Sequence, residues 1–359
     1  MSTDVTADTS VIKALKKMRM PQTQRNREFW LLLFAVAISG ASLTLVQLGA
    51  LGLIDPMILA IGGGLAVLAF AVHFVLRAVA SAADPFILPI ATLLTGLGIA
   101  MIYRIDIAQS LTGWNAYSTK QLAWTAISLA GAIAVVILLR NYRVLFRYTY
   151  IFGLSGILLL LLPFVPGLRI PDANAQVWVS LGGMFAFQPG ELAKICLAIF
   201  FAGYLVRTRE SLTSVGTKFL GITWPRMREL GPVLVVWAIS LGIIVIQRDL
   251  GTGTLIFGMF VAMLYVATGK TSWVLIGLGL VAAGVAVATQ ILSYVQGRFT
   301  NWLFLFDPEK VDPDVAGFQP MQGLFGLAHG GLLGTGWGQG RPEVTPLAHS
   351  DYILSLIHI

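Results

Sequence analysis

Nine apolar stretches, each near the length of a membrane-spanning helix, dominate this 359-residue sequence. A helix needs about 20 apolar residues to cross the hydrocarbon core of a bilayer. The stretches cover residues 29–53, 56–78, 85–105, 119–140, 144–166, 189–206, 229–247, 250–268 and 272–295. The sequence therefore predicts an all-α fold, a polytopic membrane protein with about nine transmembrane helices.

Charge supports this class and predicts an orientation. Charged residues make up only 11% of the chain and hydrophobic residues 57%, whereas soluble domains carry about 25% charged residues. This composition excludes an ordinary soluble enzyme and a disordered chain. With a cytoplasmic N-terminus, most of the 24 Lys and Arg residues fall on inner segments, as the positive-inside rule requires. The net charge of +7 is then explained by cytoplasmic loops, without a nucleic-acid partner.

The same orientation predicts three regions. Residues 1–28 form a basic cytoplasmic tail, residues 29–295 a transmembrane bundle, and residues 296–359 a large extracellular loop. A second long outer segment covers residues 167–188. Long loops on a membrane scaffold commonly carry function, so the polar residues at this face are the candidates for a site.

The first polar group lies at the outer start of the sixth span, in the segment Gln188–Lys194. Glu191 and Lys194 are three residues apart and share a helix face, so they are able to pair. One interpretation is a neutral ion pair that anchors the helix end. The other places Lys194 beside an anionic ligand, with the positive N-terminus of the helix assisting.

The second polar group interrupts two apolar runs at Gln247–Thr252. A tight turn favours Asp and Gly, so this segment is typical of a hairpin corner. The alternative is functional: the Asp249 carboxylate orients Arg248, or it contributes oxygen ligands to a divalent cation.

The third polar group lies in the outer tail. It contains Trp302, a glycine-rich run over residues 330–340, and the segment His349–Ile353. The glycine run lacks the lysine and the spacing of a phosphate-binding loop. Asp351 stands at the border of an apolar stretch, where it is either a solvated loop acid or a general base.

Taken in order, these motifs resemble the SEDS family, the shape, elongation, division and sporulation proteins that include RodA, FtsW and SpoVE. The resemblance runs from about residue 85 to residue 354. Five motifs in the family's order carry it, and together they are highly specific: Trp178 with Gln188–Lys194, Gln247–Thr252, Asp312–Gln322, Gly330–Gly336 and His349–Ile353. The segments Ala83–Pro85 and Arg104–Asp106 are most similar to the actinobacterial RodA-type branch.

Two features depart from the family pattern. Gln176 and Val177 stand where the family has an arginine before Trp178, and Arg169 is the candidate to replace it. The sequence also stops eight residues after Asp351, before the family's acidic pair and its last three or so spans. We therefore expect a C-terminally truncated sequence.

The resemblance implies a peptidoglycan glycosyltransferase of the bacterial cell membrane, which polymerises lipid II for cell-wall elongation and cell shape. It implies an inverting transfer with Asp351 as the general base, and pyrophosphate binding by Lys194 and Arg248, which Glu191 and Asp249 orient. Further substrate contacts are expected from Gln188, Trp178, His349, Gln319 and Gln322. Mg²⁺ or Mn²⁺ is a possible cofactor and no organic cofactor is expected.

The resemblance also implies partners and leaves rival functions open. The expected partners are a class B penicillin-binding transpeptidase and other membrane proteins of the elongation complex. The alternatives are a lipid II flippase, an FtsW-type division paralogue, and a scaffold that only recruits the transpeptidase. A flippase would use the same intramembrane charges for a lipid pathway.

Overall fold

The structure is a computed structural model that describes residues 22–139, 141–168, 177–181, 185–213, 217–219, 222–224, 227–307, 309 and 318–353. Within these residues the chain is almost entirely helical. The first helices are α1 (Gln22–Leu51), α2 (Met57–Val79), α3 (Ile87–Ala108), α4 (Tyr117–Leu138), α5 (Thr149–Leu161) and α6 (Pro189–Thr213). The later ones are α7 (Met227–Gln247), α8 (Leu250–Thr268), α9 (Ser272–Ile291), α10 (Ser293–Leu303) and α11 (Phe318–Gly330).

Short 3₁₀ segments and two hairpins connect these helices. The 3₁₀ segments cover Gly113–Asn115, Tyr142–Tyr148, Leu162–Phe164 and Pro342–Val344. The antiparallel hairpins pair β1 (Val179–Leu181) with β2 (Phe185–Phe187), and β3 (Thr217–Phe219) with β4 (Ile222–Trp224). Strands of three residues give too short an alternation to be recognised in a sequence, and neither hairpin was predicted.

Eight helical stretches of the described chain are long and apolar enough to cross a membrane, which confirms the polytopic helical class. The ninth predicted span, residues 229–247, corresponds to the helix α7, and within the described residues its apolar stretch Leu234–Gln247 is shorter than the other eight.

The first helix begins at Gln22 rather than at residue 29, so it includes the end of the predicted basic tail; residues 1–21 lie outside the described range. Arg25 and Glu28 are buried and form an ion pair. The other Glu28 oxygen lies 2.8 Å from Nδ1 of the buried His73 on α2. Both oxygens of the buried Glu28 are therefore bonded, whereas Nε and Nη2 of Arg25 and Nε2 of His73 find no hydrogen-bond partner within the described residues.

The chain divides into two compact units: residues 1–140 together with 300–359, and residues 141–299. In the first unit, α1 packs on α3 and α2, and α4 packs on α2 and α3. Its core includes Leu43, Val46 and Ile99, and the tail residue Ala348 belongs to the same buried cluster. The tail is therefore part of the core of this unit.

The second unit contains α5 to α9, with α6 packed against both α5 and α8. Its core is built around Phe200 and Phe201 of α6, with Ile244 of α7 and Phe260 of α8. A buried Gln247 side chain donates a 2.6 Å hydrogen bond to the Leu160 carbonyl at the end of α5. This bond holds the end of α7 against the end of α5. Gln247 is also the first residue of the second predicted polar group.

Candidate functional site

The predicted site residues fall into two groups, one in each unit. We call Gln319, His349 and Asp351, with Tyr117 and Asp106, the tail cluster. We call Gln188, Glu191, Lys194, Arg248 and Asp249 the helix-end cluster.

Asp351 stands on a turn at the end of the tail. Its backbone N–H donates to the Leu347 carbonyl over 2.9 Å, and its side chain is exposed. The Gln319 side chain on α11 donates a hydrogen bond of 3.2 Å to Oδ2 of Asp351. Gln319 therefore holds the carboxylate in one orientation, while Oδ1 accepts no hydrogen bond from the described residues.

His349 is fixed by an aromatic stack. Its ring lies 4.5 Å from the Tyr117 ring, with an angle of 15° between the planes. Burial lowers the pKa of His349 below its ordinary value, although the charges of Asp351 and Asp106 act in the opposite direction. The imidazole beside Asp351 is therefore held in its neutral form near pH 7.

Tyr117 is itself positioned by Asp106, a residue that the sequence did not single out as functional. Asp106 is 1% exposed. Its two oxygens accept the backbone N–H groups of Tyr117 and Ser118 over 2.7 and 2.8 Å. These are the first N–H groups of α4, which have no partner within the helix. The carboxylate of α3 thus caps α4, and the capped turn carries the ring beneath His349.

Gln322 contributes through its backbone, because its carbonyl accepts a 3.5 Å hydrogen bond from the Thr345 hydroxyl. One residue later, Gly323 lies so close to Tyr352 that an added methyl group would overlap the tyrosine ring. Burial raises the pKa of Tyr352, and the neighbouring Asp351 acts in the same direction. These contacts fix the turn that carries Asp351 against α11.

The glycine-rich run is held by α1 and α3. The Arg104 guanidinium donates to the carbonyls of Gly338 and Gly340 over 3.0 and 2.6 Å. Gly338 has a φ of 75° and lies directly against the backbone of Val46 on α1. Both the left-handed conformation and the close approach require glycine there. The glycine-rich run thus packs against α1 and α3 through its backbone, and its lack of phosphate-loop spacing is consistent with this structural role.

In the helix-end cluster, Glu191 and Lys194 form the expected ion pair at the start of α6. Nζ of Lys194 lies 2.8 and 2.7 Å from the two Glu191 oxygens. The lysine side chain is 18% exposed and the glutamate 60%. The ammonium is therefore partly desolvated, while its carboxylate partner faces outwards.

Asp249 has a different partner from the one expected. It caps α8, because Oδ1 accepts the Thr252 N–H over 3.0 Å, and Oδ2 accepts from the Gln188 side chain over 3.3 Å. Within the described residues no ion pair joins Asp249 to Arg248. One oxygen of the carboxylate thus serves the cap and the other Gln188, and the orientation of Arg248 by Asp249 stays a prediction.

Arg248 adopts a left-handed backbone conformation, with a φ of 61°. Its guanidinium carbon lies 6.0 Å from the centre of the Tyr294 ring. This positive φ turns the chain sharply between α7 and α8, as the hairpin-corner interpretation predicts. The side chain is exposed at that corner.

Trp178 is 44% exposed and precedes β1. The register pairs Val179, the residue after Trp178, with Phe187, the residue before Gln188. The hairpin therefore connects Trp178 with the helix-end cluster. Trp302 is 74% exposed on α10, as expected of an aromatic residue at a membrane surface.

Some predicted features lie outside the described residues. Outside are Arg169, Gln176, Asp312, Pro313, Asp314, Gly317 and residues 354–359. Among the described residues there is no group of three or more His, Cys, Asp or Glu side chains able to hold a metal ion. A divalent cation therefore stays a prediction, with no protein ligand set assigned to it.

The sequence is similar to known proteins over residues of both units. The family model described as cell cycle protein, covering FtsW, RodA and SpoVE, matches residues 85–358. The chain is 39% identical over 336 residues to the peptidoglycan glycosyltransferase RodA of Mycobacterium tuberculosis, covering 93% of this chain and 71% of that protein. It is 38% identical over 347 residues to RodA of Mycobacterium leprae, with 93% and 70% covered.

The FtsW relatives are more distant. A probable peptidoglycan glycosyltransferase FtsW of Mycobacterium tuberculosis is 31% identical over 278 residues, covering 76% of this chain and 49% of that protein. The RodA proteins thus match a larger part of the chain at higher identity. The chain belongs to the FtsW/RodA/SpoVE family of cell cycle proteins, the SEDS family that its motifs resemble, and it is a multi-pass cell-membrane protein.

Proposed function

We propose that this chain is a peptidoglycan glycosyltransferase of the RodA type, which polymerises lipid II into glycan strands for cell-wall elongation. The names of its RodA relatives support the activity. Their higher identity and coverage favour the RodA type over the FtsW type. The reaction needs a base for the acceptor sugar and positive charge for the departing pyrophosphate.

The assignment of Asp351 as the general base rests on its oxygen Oδ1, which accepts no hydrogen bond from the described residues. Asp106 has both oxygens bonded to backbone N–H groups, and Asp249 has one oxygen in a helix cap and the other on Gln188. Asp351 is exposed and bonded only through Oδ2. A general base needs a free lone pair within hydrogen-bond reach of the proton that it removes. Of these three carboxylates, Asp351 alone is exposed and has one oxygen that accepts no hydrogen bond from the described residues.

In the proposed step, the 4-hydroxyl oxygen of the acceptor GlcNAc attacks the anomeric carbon of the donor sugar. The new glycosidic bond forms as the bond to the pyrophosphate oxygen breaks. The hydroxyl proton moves to Asp351, and the pyrophosphate-linked carrier leaves with the bonding electrons. One base suffices because a single displacement inverts the anomeric centre. Gln319 keeps the carboxylate oriented.

Lys194 and Arg248 are proposed to bind the pyrophosphate, where negative charge develops as the bond breaks. Glu191 holds the Lys194 ammonium, which has three donors and so retains capacity for a phosphate oxygen. Gln188 and Trp178 are proposed to contact the substrate beside it. If Mg²⁺ or Mn²⁺ takes part, phosphate oxygens of the substrate would supply most of its ligands. A class B penicillin-binding transpeptidase is the proposed partner, because it would cross-link the glycan product.

The test is polymerisation of purified lipid II by the purified full chain in detergent, where the substrate needs no transport. We expect glycan strands from the wild-type chain and none from Asp351→Asn. Lys194→Gln should lower the rate strongly. The matched control is Glu309→Gln, which removes an exposed acid elsewhere in the same tail and should leave the rate unchanged.

Each other outcome contradicts a defined part of the proposal. Synthesis by Asp351→Asn at the wild-type rate would remove Asp351 from the role of base. A wild-type chain that makes no glycan but moves lipid II across vesicles would be a flippase. Cell-wall elongation that survives every charge variant, as long as the transpeptidase still binds, would indicate a scaffold.

A further inference from the structure

A groove lies in the unit formed by residues 141–299, away from the helix-end cluster. It has a volume of about 430 Å³ and lies between the 3₁₀ segment Tyr142–Tyr148 and the second half of α6. This volume falls within the range of about 300–1,000 Å³ that is usual for ligand sites. The lining is almost entirely apolar and consists of Tyr142, Arg143, Leu145, Phe146, Ile199, Ala202, Gly203 and Val206.

Two arginines border this groove. Arg143 belongs to its wall. Arg207 donates a 3.0 Å hydrogen bond to the Phe146 carbonyl, and its guanidinium carbon lies 4.6 Å from the Phe146 ring centre and 5.4 Å from that of Tyr150. The Arg207 guanidinium is thus fixed in place by groups that carry no net charge. Within the described residues neither arginine pairs with a carboxylate, so the positive charge at the groove is uncompensated.

The position of the groove along α6 separates it from the proposed substrate site. Lys194 lies near the start of α6 and Arg207 near its end. At 1.5 Å per residue, the two are about 20 Å apart along the helix axis. The sequence-based orientation puts the Arg207 end at the cytoplasmic leaflet, whose anionic lipids attract arginine side chains. Exposed aromatic residues, including Tyr142 at 70% and Tyr150 at 55%, are typical of a membrane interface.

We propose that this groove binds an anionic phospholipid of the cytoplasmic leaflet, which goes beyond the proposed glycosyltransferase activity. An acyl chain fills the apolar groove, and the phosphate of the head group contacts Arg143 and Arg207. Arginine is suited to this role because its planar guanidinium matches phosphate geometry. A zwitterionic lipid offers the same acyl chains but no net charge, so charge complementarity selects the anionic lipid.

The experiment measures lipid retention on the full chain by native mass spectrometry, with phosphatidylglycerol and phosphatidylcholine of identical acyl chains as the probes. The wild-type chain should retain phosphatidylglycerol in preference. The double variant Arg143→Gln/Arg207→Gln should retain it about 25-fold less, a factor of about five for each arginine. The control Arg298→Gln removes an exposed arginine of α10 and should change nothing.

A second variant tests the groove with the charges left in place. Val206 is 66% exposed, so Val206→Trp fills the groove without disturbing the core and should also reduce phosphatidylglycerol retention. Equal retention of the two lipids by the wild-type chain would overturn the proposal, as would full retention by the double arginine variant. Displacement of phosphatidylglycerol by an equimolar amount of undecaprenyl phosphate would overturn it in favour of an isoprenoid occupant. None of these readouts depends on glycan synthesis.

Discussion

The cap that Asp106 provides to α4 gives the sharpest test of the tail cluster. We predict that Asp106→Asn destabilises the chain much more than the chemically identical change Asp84→Asn. Asp84 caps the turn before α3 with one oxygen, which accepts the Phe86 N–H over 2.8 Å. Asparagine retains one oxygen and is as good a cap as aspartate. The exposed Asp84 therefore tolerates the change.

Asp106 does not tolerate it, because both of its oxygens accept backbone N–H groups and the residue is 1% exposed. Its asparagine amide would face one of these donors with another donor. A buried N–H group without an acceptor costs about 2 kcal/mol. The loss of negative charge at the helix N-terminus costs about 1 kcal/mol more. We therefore expect a loss of about 3 kcal/mol for Asp106→Asn, and less than about 0.5 kcal/mol for Asp84→Asn.

The assay is equilibrium unfolding of both variants in mixed detergent micelles, together with lipid II polymerisation. Because Asp106 positions Tyr117 beneath His349, Asp106→Asn should also reduce polymerisation, whereas Asp84→Asn should not. Equal stability of the two variants would refute the reasoning, since it would mean that the second oxygen of Asp106 contributes nothing to the cap.

Two further predictions concern the packing of the tail. Gly323→Ala should destabilise the chain by about 1–3 kcal/mol, the usual range for overpacking, because the new methyl group meets the Tyr352 ring. The control in the same unfolding assay is Gly297→Ala, whose methyl group meets open space. Burial lowers the pKa of His349 from 6.5, with Asp351 acting in the opposite direction, so the unfolded chain takes up a proton before the folded chain does. The contribution of His349 to the free energy of unfolding should be fully present above pH 6.5 and should be lost as the pH falls to the lowered pKa, and His349→Gln should remove this dependence.

The sequence predicted the features that depend on local periodicity and spacing. Apolar runs of helical length located the spans, and a spacing of three residues predicted the Glu191–Lys194 pair. The hairpin corner at Gln247–Thr252 was predictable because the backbone conformation of a tight turn favours Asp and Gly. In each case the interacting groups are close in the sequence, so one stretch of chain contains the whole signal.

Contacts between distant segments were not predictable in the same way. The stack of His349 on Tyr117 joins the two separate chain segments of one unit. The bond between Gln188 and Asp249 was not predictable for a similar reason, because the two residues are 61 positions apart. No periodicity in one sequence records which helices are neighbours, so such pairs follow only from the packed structure.

The polar residues of the spans show what a sequence rule for membrane sites leaves out. An ionisable side chain in a span is a functional candidate by default, and by that rule Glu28 and His73 are as strong as Asp351. The structure separates them by their remaining hydrogen-bonding capacity. Glu28 is fully buried, with one oxygen on Arg25 and the other on His73, so it stabilises α1 against α2. Asp351 is exposed and keeps one oxygen open to an incoming group. The free-energy cost of a charged side chain in the membrane identifies which residues need an explanation. Only the number of its atoms that already have a hydrogen-bond partner separates a charge that stabilises the fold from one able to act on a substrate.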